Sequence, residues 1–270
     1  MQPNAIQADT GPRIEVEASL YGGTITIQRG DFGRKRHAYY WAEKDLFVPG
    51  VTSILGILDK PALLPWAAKM AGEYVKVNLP ENASREQIEA VCEKAKTEYN
   101  TIKEAAGDVG TRVHAIAESL FKGLPVEIPT DPLVINGLKA LQEWISENNV
   151  QPIDTELITF SKSAYFAGTM DLLASVNGKL TQVDLKTGSG IYNEHYFQTA
   201  AYKFAWEEDN RGELIEQIII LNTNKKTGKP KIRLIDNQAE MQFYTDTFLR
   251  TKAVSDNLKK MDSYGNGLRQ

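Results

Sequence analysis

The sequence contains a single cysteine and no long apolar run. Cys92 alone cannot build an intramolecular disulfide framework, and it cannot supply a four-cysteine zinc or iron–sulfur site. A membrane helix needs about 20 consecutive apolar residues, which no run in this sequence approaches, and residues 1–12 lack the apolar core of a signal peptide. The sequence therefore predicts a cytoplasmic protein with no iron–sulfur cluster and no membrane partner.

The sequence also lacks a Gly-rich phosphate loop that ends in Lys-Ser or Lys-Thr, so a motor domain of the P-loop type is excluded. Its formal net charge of -4 excludes a protein that is positively charged over its whole surface. A local basic track beside acidic metal ligands is still compatible with that charge. The sequence consists of 42% hydrophobic and 24% charged residues, as in ordinary folded proteins.

Hydrophobic periodicity divides the chain into strand-like and helical segments. Residues 14–41 alternate as short antiparallel strands, residues 84–120 read as one helix or as two helices interrupted near residues 107–110, and a helix begins at Asp131-Pro132. Three strands, a helix, two further strands and a closing helix follow. The pattern predicts an α/β fold with a mixed central sheet flanked by helices over residues 106–270, and an N-terminal strand and helix addition over residues 1–105.

The stretch from Phe166 to Lys186 reads as a β-hairpin that brings two carboxylates together. Asn177-Gly178 lies between two strand-like runs, and this dipeptide is a strong signal for a two-residue hairpin turn. If these two residues form the loop, stepping outward pair by pair places Asp171 directly opposite Asp184. Residues two apart in a strand share a face, so Lys186 is expected on the face of Asp184.

Two carboxylates in this position need a positive partner, since like charges directly opposite each other are destabilising. A hard divalent cation such as Mg²⁺ binds oxygen ligands and keeps several waters, so two carboxylates and phosphate oxygens suit it. Lys186 would orient or deprotonate the attacking water. The alternative is a surface hairpin whose carboxylates are solvated and whose lysine only pairs with one of them. The other face is expected to be core and consists of Leu172, Ala174, Val176, Val183 and Leu185.

Two pairs of residues at helical spacing are expected to converge on this hairpin. His114 and Glu118 share one face of a helix, where His114 would be a metal ligand or a phosphate contact. Gln198 and Tyr202 are likewise four apart, on the helix that follows the second hairpin strand. For each of these residues the ordinary alternative is a packed or solvated helix position.

Taken together, these residues resemble the RecB-like branch of the PD-(D/E)xK nucleases. The matching motifs are Gly110 to His114, Gly168 to Asp171, Asp184 to Gly188 and Gln198 to Tyr202, and the resemblance covers about residues 107–208. It implies a restriction-endonuclease-like core. The branch that acts in CRISPR adaptation uses four cysteines, and the helicase-fused branch has motor domains; this chain has neither. It therefore resembles the free-standing nucleases of phages and prophages.

The resemblance also implies a role for each matching residue. The implied metal ligands are His114, Asp171, Asp184 and the backbone carbonyl of Leu185. The implied catalytic and supporting residues are Lys186, Gln198 and Tyr202, together with the two aspartates.

Two basic runs are candidates for DNA contact. The first is the basic run of Arg29, Arg34, Lys35, Arg36 and His37, which the aromatic residues Tyr39, Tyr40 and Trp41 adjoin; it can contact phosphates and stack on bases. The second consists of Lys225, Lys226, Lys229 and Lys231 at the tip of the later hairpin. A solvated loop is the alternative for the first run, and a lysine guard against edge-to-edge aggregation is the alternative for the second.

The residues and the resemblance predict a Mg²⁺-dependent DNA nuclease in which Mn²⁺ can replace Mg²⁺. The resemblance favours an exodeoxyribonuclease that acts from DNA ends in phage recombination or repair, with a single-strand annealing or recombination protein as partner. Two alternatives stay open. A non-cleaving DNA-binding recombination factor on the same scaffold would be expected to lack Asp171, Asp184 or Lys186, and all three are present. A structure-specific endonuclease would cut closed circular DNA.

Overall fold

The computed structural model describes residues 13–33, 37–210 and 212–267, with side chains up to residue 261. Over these residues the chain forms an antiparallel sheet of four strands and a mixed sheet of five strands, with helices packed on the larger sheet. The predicted α/β class is confirmed. None of the described helices is long and apolar enough to cross a membrane.

The N-terminal sheet packs directly onto the central one. Its strands are β1 (Arg13–Leu20), β2 (Ile25–Asp31), β3 (Ala38–Trp41) and β4 (Leu46–Val48), hydrogen-bonded in that order. Residues Ile25, Ile27 and Val48 of this sheet share one buried cluster with Ile158, Phe160 and Ala167 of the central sheet. The N–H of Ala167 also donates to the carbonyl of Pro49 at 3.0 Å, which joins the two sheets through the backbone.

Four helices follow the N-terminal sheet along the chain and precede the central sheet. They are α1 (Val51–Leu55), α2 (Leu63–Asn78), α3 (Arg85–Phe121) and α4 (Pro132–Glu147). Helix α3 runs without a break through Gly107 and Gly110. A helical glycine costs about 1 kcal/mol relative to alanine, and the burial of Val109, Val113 and Ala117 against the central sheet outweighs that cost. The expected boundary between residues 105 and 106 falls inside α3.

Asp131 caps the N-terminus of helix α4, as the sequence predicts. Asp131 precedes the helix, Pro132 is its first residue, and the Asp131 carboxylate accepts a hydrogen bond from the N–H of Leu133 at 2.9 Å. This contact satisfies one of the N–H groups that a helix leaves unpaired at its start. Helix α4 then buries Val134, Leu138 and Leu141, which fixes it on the same face of the central sheet as the end of α3.

The central sheet places the hairpin in the middle of the domain. Its strands are β5 (Val150–Ser161), β6 (Phe166–Val176), β7 (Lys179–Lys186), β8 (Gln217–Thr223) and β9 (Pro230–Ile235), in that order. Only β7 and β8 among these neighbours are parallel, and helix α5 (Asn193–Asp209) connects them. A parallel pair requires such a crossover. Helix α6 (Gln238–Gly267) closes the fold and packs on α5.

Both faces of the central sheet are buried. One face packs against α3 and α4 and includes the five hairpin residues predicted as core: Leu172, Ala174, Val176, Val183 and Leu185. The other face packs against α1, α5 and α6 and includes Phe166, Leu173, Ile218 and Ile220. The hairpin carboxylates therefore do not lie on an open sheet surface, and a solvated pair on the outside of the protein is excluded for Asp184, which is 1% exposed.

Candidate functional site

Strands β6 and β7 separate at the position of the two aspartates. Asn177 and Gly178 form the predicted turn with φ angles of 53° and 83°, which a type I′ turn requires. The register runs as predicted from Val176↔Lys179 to Leu172↔Val183. Beyond that pair, the N–H of Leu185 donates to Oδ2 of Asp171 at 2.7 Å. A side chain thus takes the place of a backbone partner, and the aspartates flank a gap between the strands.

Asp184 and Lys186 form an ion pair at the inner end of β7. The Lys186 ammonium lies 2.6 Å from Oδ2 of Asp184. Apart from this contact with Lys186, neither buried oxygen of Asp184 accepts a hydrogen bond from the described residues. A buried carboxylate with so few partners is costly. Burial and the charge of Asp171 together raise the pKa of Asp184 to about 6, although Lys186 opposes both effects.

His114 of α3 faces Asp171 of β6. Its Nδ1 lies 3.6 Å from Oδ1 of the aspartate, and the two side chains are 29% and 17% exposed. Burial alone would lower the pKa of His114, but the Asp171 carboxylate outweighs it and raises that pKa. Burial would likewise raise the pKa of Asp171, and the nearby His114, Lys186 and Leu185 N–H lower it instead. Glu118, one turn further along α3, pairs with Lys122 at 2.5 Å.

Glu156 of β5 joins this cluster, although no sequence motif indicated it. The β5–β6 ladder passes from Thr155↔Leu172 to Leu157↔Met170, so Glu156 lies opposite Asp171. Ligand atoms of His114, Glu156 and Asp171 all lie within 4.8 Å of one another. Glu156 has a φ angle of 52°, in the left-handed region that residues other than glycine rarely adopt. The chain therefore departs from regular strand geometry where this carboxylate enters the site.

The backbone carbonyl of Leu185 is directed toward the same gap. The N–H and the C=O of one residue in an extended strand point to the same side. Since the Leu185 N–H donates to Asp171 across the gap, its carbonyl also faces the side of β6. This direction fits the ligand role implied for Leu185 by the family resemblance.

Gln198 and Tyr202 meet on helix α5, above the β6 strand. The Gln198 amide donates to the Tyr202 hydroxyl at 2.7 Å. Tyr202 is 4% exposed, and burial raises its pKa well above the usual value, so the phenol stays neutral. The ring of Tyr202 lies against Gly168, where an added Cβ would come within 2.2 Å of Cε1. The glycine of the 168–171 motif is thus explained by close packing of Tyr202 on the strand.

Gly168→Ala should destabilise the protein by about 2–3 kcal/mol, because the new methyl group overlaps the Tyr202 ring and the surrounding core is closely packed. Urea unfolding followed by circular dichroism measures the effect. Gly107→Ala is the matched control, since no atom lies within 4 Å of the added Cβ; it should raise stability by roughly 1 kcal/mol. A Gly168→Ala variant as stable as the wild type would contradict this packing.

Close packing likewise explains the glycine at position 110 of α3. A Cβ at this position would lie 2.7 Å from Oγ1 of Thr187, the residue that follows Lys186. A glycine therefore allows the helix that carries His114 to approach the end of the strand that carries Asp184. Two of the motifs that the resemblance rests on, Gly110 to His114 and Asp184 to Gly188, are in this way in direct contact.

The residues predicted to contact DNA are placed differently. Arg34, Lys35 and Arg36 lie outside the described residues. Lys225 donates to the carbonyl of Ala106 at 2.8 Å, and Lys229 pairs with Glu143 of α4 at 2.9 Å. The carbonyl of Lys226 accepts a hydrogen bond from Asn136 at 3.4 Å. Lys225 and Lys229 therefore help to attach the β8–β9 tip to the helices, and a DNA contact from this tip stays a prediction.

Comparison with known proteins identifies the superfamily. Residues 133–263 match the family model of the PD-(D/E)XK nuclease superfamily. The superfamily predicted from the motifs is confirmed over the matched residues. Among solved structures, the crystal structure of LHK-Exo in complex with dAMP is 14% identical, with a TM-score of 0.25, over 73% of this chain and 96% of that chain. No curated protein matches the chain. The RecB-like branch and the phage type stay predictions.

Proposed function

We propose that this protein is a Mg²⁺-dependent exodeoxyribonuclease that hydrolyses phosphodiester bonds from DNA ends. The observation that carries the proposal is the gap between β6 and β7, where Asp171, Asp184 and Lys186 meet. Apart from its ion pair with Lys186, the buried Asp184 carboxylate accepts no hydrogen bond from the described residues. Such an arrangement costs stability unless a bound cation offsets it, and the superfamily whose family model matches residues 133–263 consists of nucleases.

The side chains around the gap fit a divalent cation. Asp171 and Glu156 offer carboxylate oxygens and His114 offers an imidazole nitrogen, within 4.8 Å of one another. The Asp184 carboxylate and the carbonyl of Leu185 add further oxygen donors on the adjoining strand. Hard oxygen donors favour Mg²⁺, and the imidazole is also compatible with Mn²⁺. We propose Asp171, Asp184, His114, Glu156 and the Leu185 carbonyl as the ligand set.

Lys186 acts in this proposal as a fixed positive charge. Burial alone would lower its pKa, but the carboxylates of Asp184 and Asp171 raise it above the usual value. A protonated amine stabilises negative charge that develops on the phosphate and orients the attacking water, rather than removing a proton from it. A bound divalent cation would supply Lewis acidity and lower the pKa of a coordinated water. Gln198 and Tyr202 support this arrangement from α5 through their mutual hydrogen bond.

The finer parts of the proposal rest on the resemblance to the RecB-like branch. They are action from DNA ends, a role in phage recombination or repair in the cytoplasm, and a single-strand annealing or recombination protein as partner. Lys225, Lys226 and Lys229, with Arg34, Lys35 and Arg36, are proposed to contact the DNA backbone. Residues 1–105 and 106–270 are proposed as an N-terminal addition and a nuclease core that share helix α3.

The decisive experiment uses end-labelled linear DNA and closed circular DNA of the same sequence, each with Mg²⁺ or with EDTA. An exonuclease releases labelled nucleotides from the linear DNA only, and EDTA stops the release. Cutting of the circular DNA would replace the proposal with an endonuclease. Binding of either DNA without cleavage in Mg²⁺ and in Mn²⁺ would replace it with a non-cleaving DNA-binding factor.

Metal affinity should fall with decreasing pH. The pKa of Asp184 is raised to about 6, so below that pH a proton occupies the carboxyl that the cation needs. The raised pKa of His114 adds a second competing proton nearer neutrality. Calorimetric titration with Mn²⁺ should show a progressive loss of affinity as the pH falls, reaching at least tenfold between pH 6 and pH 5, because the protons on Asp184 and His114 both compete with the cation there. Equal affinities at pH 5 and pH 7.5 would contradict this ligand set.

A further inference from the structure

Strand β2 of the N-terminal sheet contributes a side chain to the candidate metal cluster. Nη1 of Arg29 donates to Oε2 of Glu156 at 2.9 Å and to Oγ1 of Thr169 at 3.0 Å. Oγ1 of Thr169 in turn shares a hydrogen bond of 2.8 Å with the hydroxyl of Tyr39 on β3. Two strands of the N-terminal sheet are thereby joined to β5 and β6 next to the site.

The Arg29–Glu156 pair differs from an exposed surface ion pair. Its side chains are only 19% and 23% exposed, and Nε of Arg29 is buried without a hydrogen-bond partner among the described residues. Glu156 keeps its left-handed backbone conformation at φ 52°. Unpaired donors and strained backbone both cost stability and are concentrated at functional sites in proteins. A function that requires Glu156 in this position would explain why the protein retains an unpaired Arg29 Nε and a left-handed backbone at Glu156.

We propose that Arg29 is a positioning residue that holds the Glu156 carboxylate in the metal cluster with His114 and Asp171. With one oxygen of Glu156 bound by the guanidinium, the other is left to the cation. The inference rests on the proposed function, because it requires that the cluster binds a metal. It assigns a role to the N-terminal sheet: this sheet supplies the outer partner of a metal ligand and is part of the site.

Charge and orientation give opposite expectations for the loss of Arg29. Removing a positive charge near the cluster would tighten cation binding, whereas releasing Glu156 would weaken it. Loss of a residue that orients a metal ligand typically weakens metal affinity by about 10- to 100-fold. Arg29→Lys separates the two effects, since it keeps the charge but cannot reproduce the planar guanidinium that contacts Glu156 and Thr169 together.

The test is calorimetric titration of the full chain with Mn²⁺ at constant pH and without DNA. Arg29→Lys and Arg29→Met should each bind Mn²⁺ about 10-fold or more weakly than the wild type, with unchanged circular dichroism. Gln28→Met is the matched control: it lies next to Arg29 in β2 and pairs with Glu17 at 2.8 Å, outside the cluster, so Mn²⁺ affinity should not change.

A double-mutant cycle gives a second readout. Glu156→Gln should also weaken Mn²⁺ binding, and adding Arg29→Met to it should cause little further loss, because Arg29 acts through Glu156. Wild-type affinity in Arg29→Lys, or losses that multiply in the double variant, would overturn the positioning role while leaving the proposed function intact. A wild-type protein that binds no Mn²⁺ at all would instead overturn the proposed function, and this inference with it.

Discussion

Lys186→Ala should lower the rate of DNA cleavage by about 10³-fold while Mn²⁺ still binds. The lysine is not a ligand in the proposed set, and its charge acts on the water and the scissile phosphate, where removal of one electrostatic group typically costs 10²–10⁴-fold. Its ammonium lies 2.6 Å from Asp184 and is 17% exposed. Without it, the pKa of Asp184 rises further, since Lys186 no longer opposes the effects of burial and Asp171. The metal also loses a competing positive charge, so at pH 8, where Asp184 is ionised, Mn²⁺ should still bind.

The matched control is Lys252→Ala on helix α6. This lysine has a similar environment, 10% exposed and 2.5 Å from the Asp256 carboxylate, but it lies outside the site. Cleavage of end-labelled DNA and calorimetric titration with Mn²⁺ are measured on all three proteins. Wild-type cleavage in Lys186→Ala would refute the proposed mechanism. A loss of Mn²⁺ binding in the same variant would show that the lysine organises the ligands instead.

The hairpin is the part of the site that sequence alone could predict. Asn177-Gly178 fixes a two-residue loop, and a fixed loop determines the register of both strands. The structure keeps that register as far as Leu172↔Val183, and the predicted core face is buried. The strand separation at Asp171 was not predictable, because it arises when the Asp171 side chain takes over the Leu185 N–H. A local pairing rule contains no information about such a side-chain contact.

The sequence alone does not predict that Glu156 belongs to the site. Counting back from Ser161↔Phe166 in the same way as for the hairpin also places Glu156 opposite Asp171. The loop between β5 and β6 has four residues and no Asn-Gly or Asp-Gly pair, so its sequence does not select one register. The contact between Arg29 and Glu156 was even less predictable, since Arg29 lies in another sheet more than 120 positions earlier in the chain. Only tertiary packing brings the two sheets together.

The fold explains why glycine is needed at two of the motif positions, which the sequence alone does not. In the sequence, Gly107 and Gly110 look equivalent, and both favour a break in helix α3. In the structure no break occurs, Gly107 faces open space, and Gly110 lies against Thr187. Gly168 likewise contacts Tyr202. The family resemblance selected Gly110, Gly168 and Gly188 and not Gly107. Gly110 and Gly168 allow an element of the site to approach closely, whereas an added Cβ at Gly188 would meet no atom within 4 Å.

Asp184→Asn should remove both metal binding and cleavage. The amide has nearly the same shape as the carboxylate but carries no charge, and it would replace the most buried oxygen donors of the proposed ligand set. A cation that binds only the folded protein stabilises it by about 2.7 kcal/mol at 100 times its Kd. For a protein of this size that corresponds to a rise in melting temperature of roughly 5–10 °C. The wild type should show this rise with Mn²⁺, and Asp184→Asn should not.

Asp209→Asn is the matched control for the loss of one aspartate charge. Asp209 lies at the end of α5 and accepts a hydrogen bond from the N–H of Tyr21 at 2.6 Å, outside the metal cluster, so this variant should keep the Mn²⁺-dependent rise in melting temperature. The contrast with Lys186→Ala is what makes the experiment informative. Both site variants should lose cleavage, but only Asp184→Asn should lose the thermal response to the metal, because Asp184 coordinates and Lys186 does not. If Asp184→Asn is stabilised by Mn²⁺ as strongly as the wild type, Asp184 is not a ligand, and the metal must bind through His114, Glu156 and Asp171 alone.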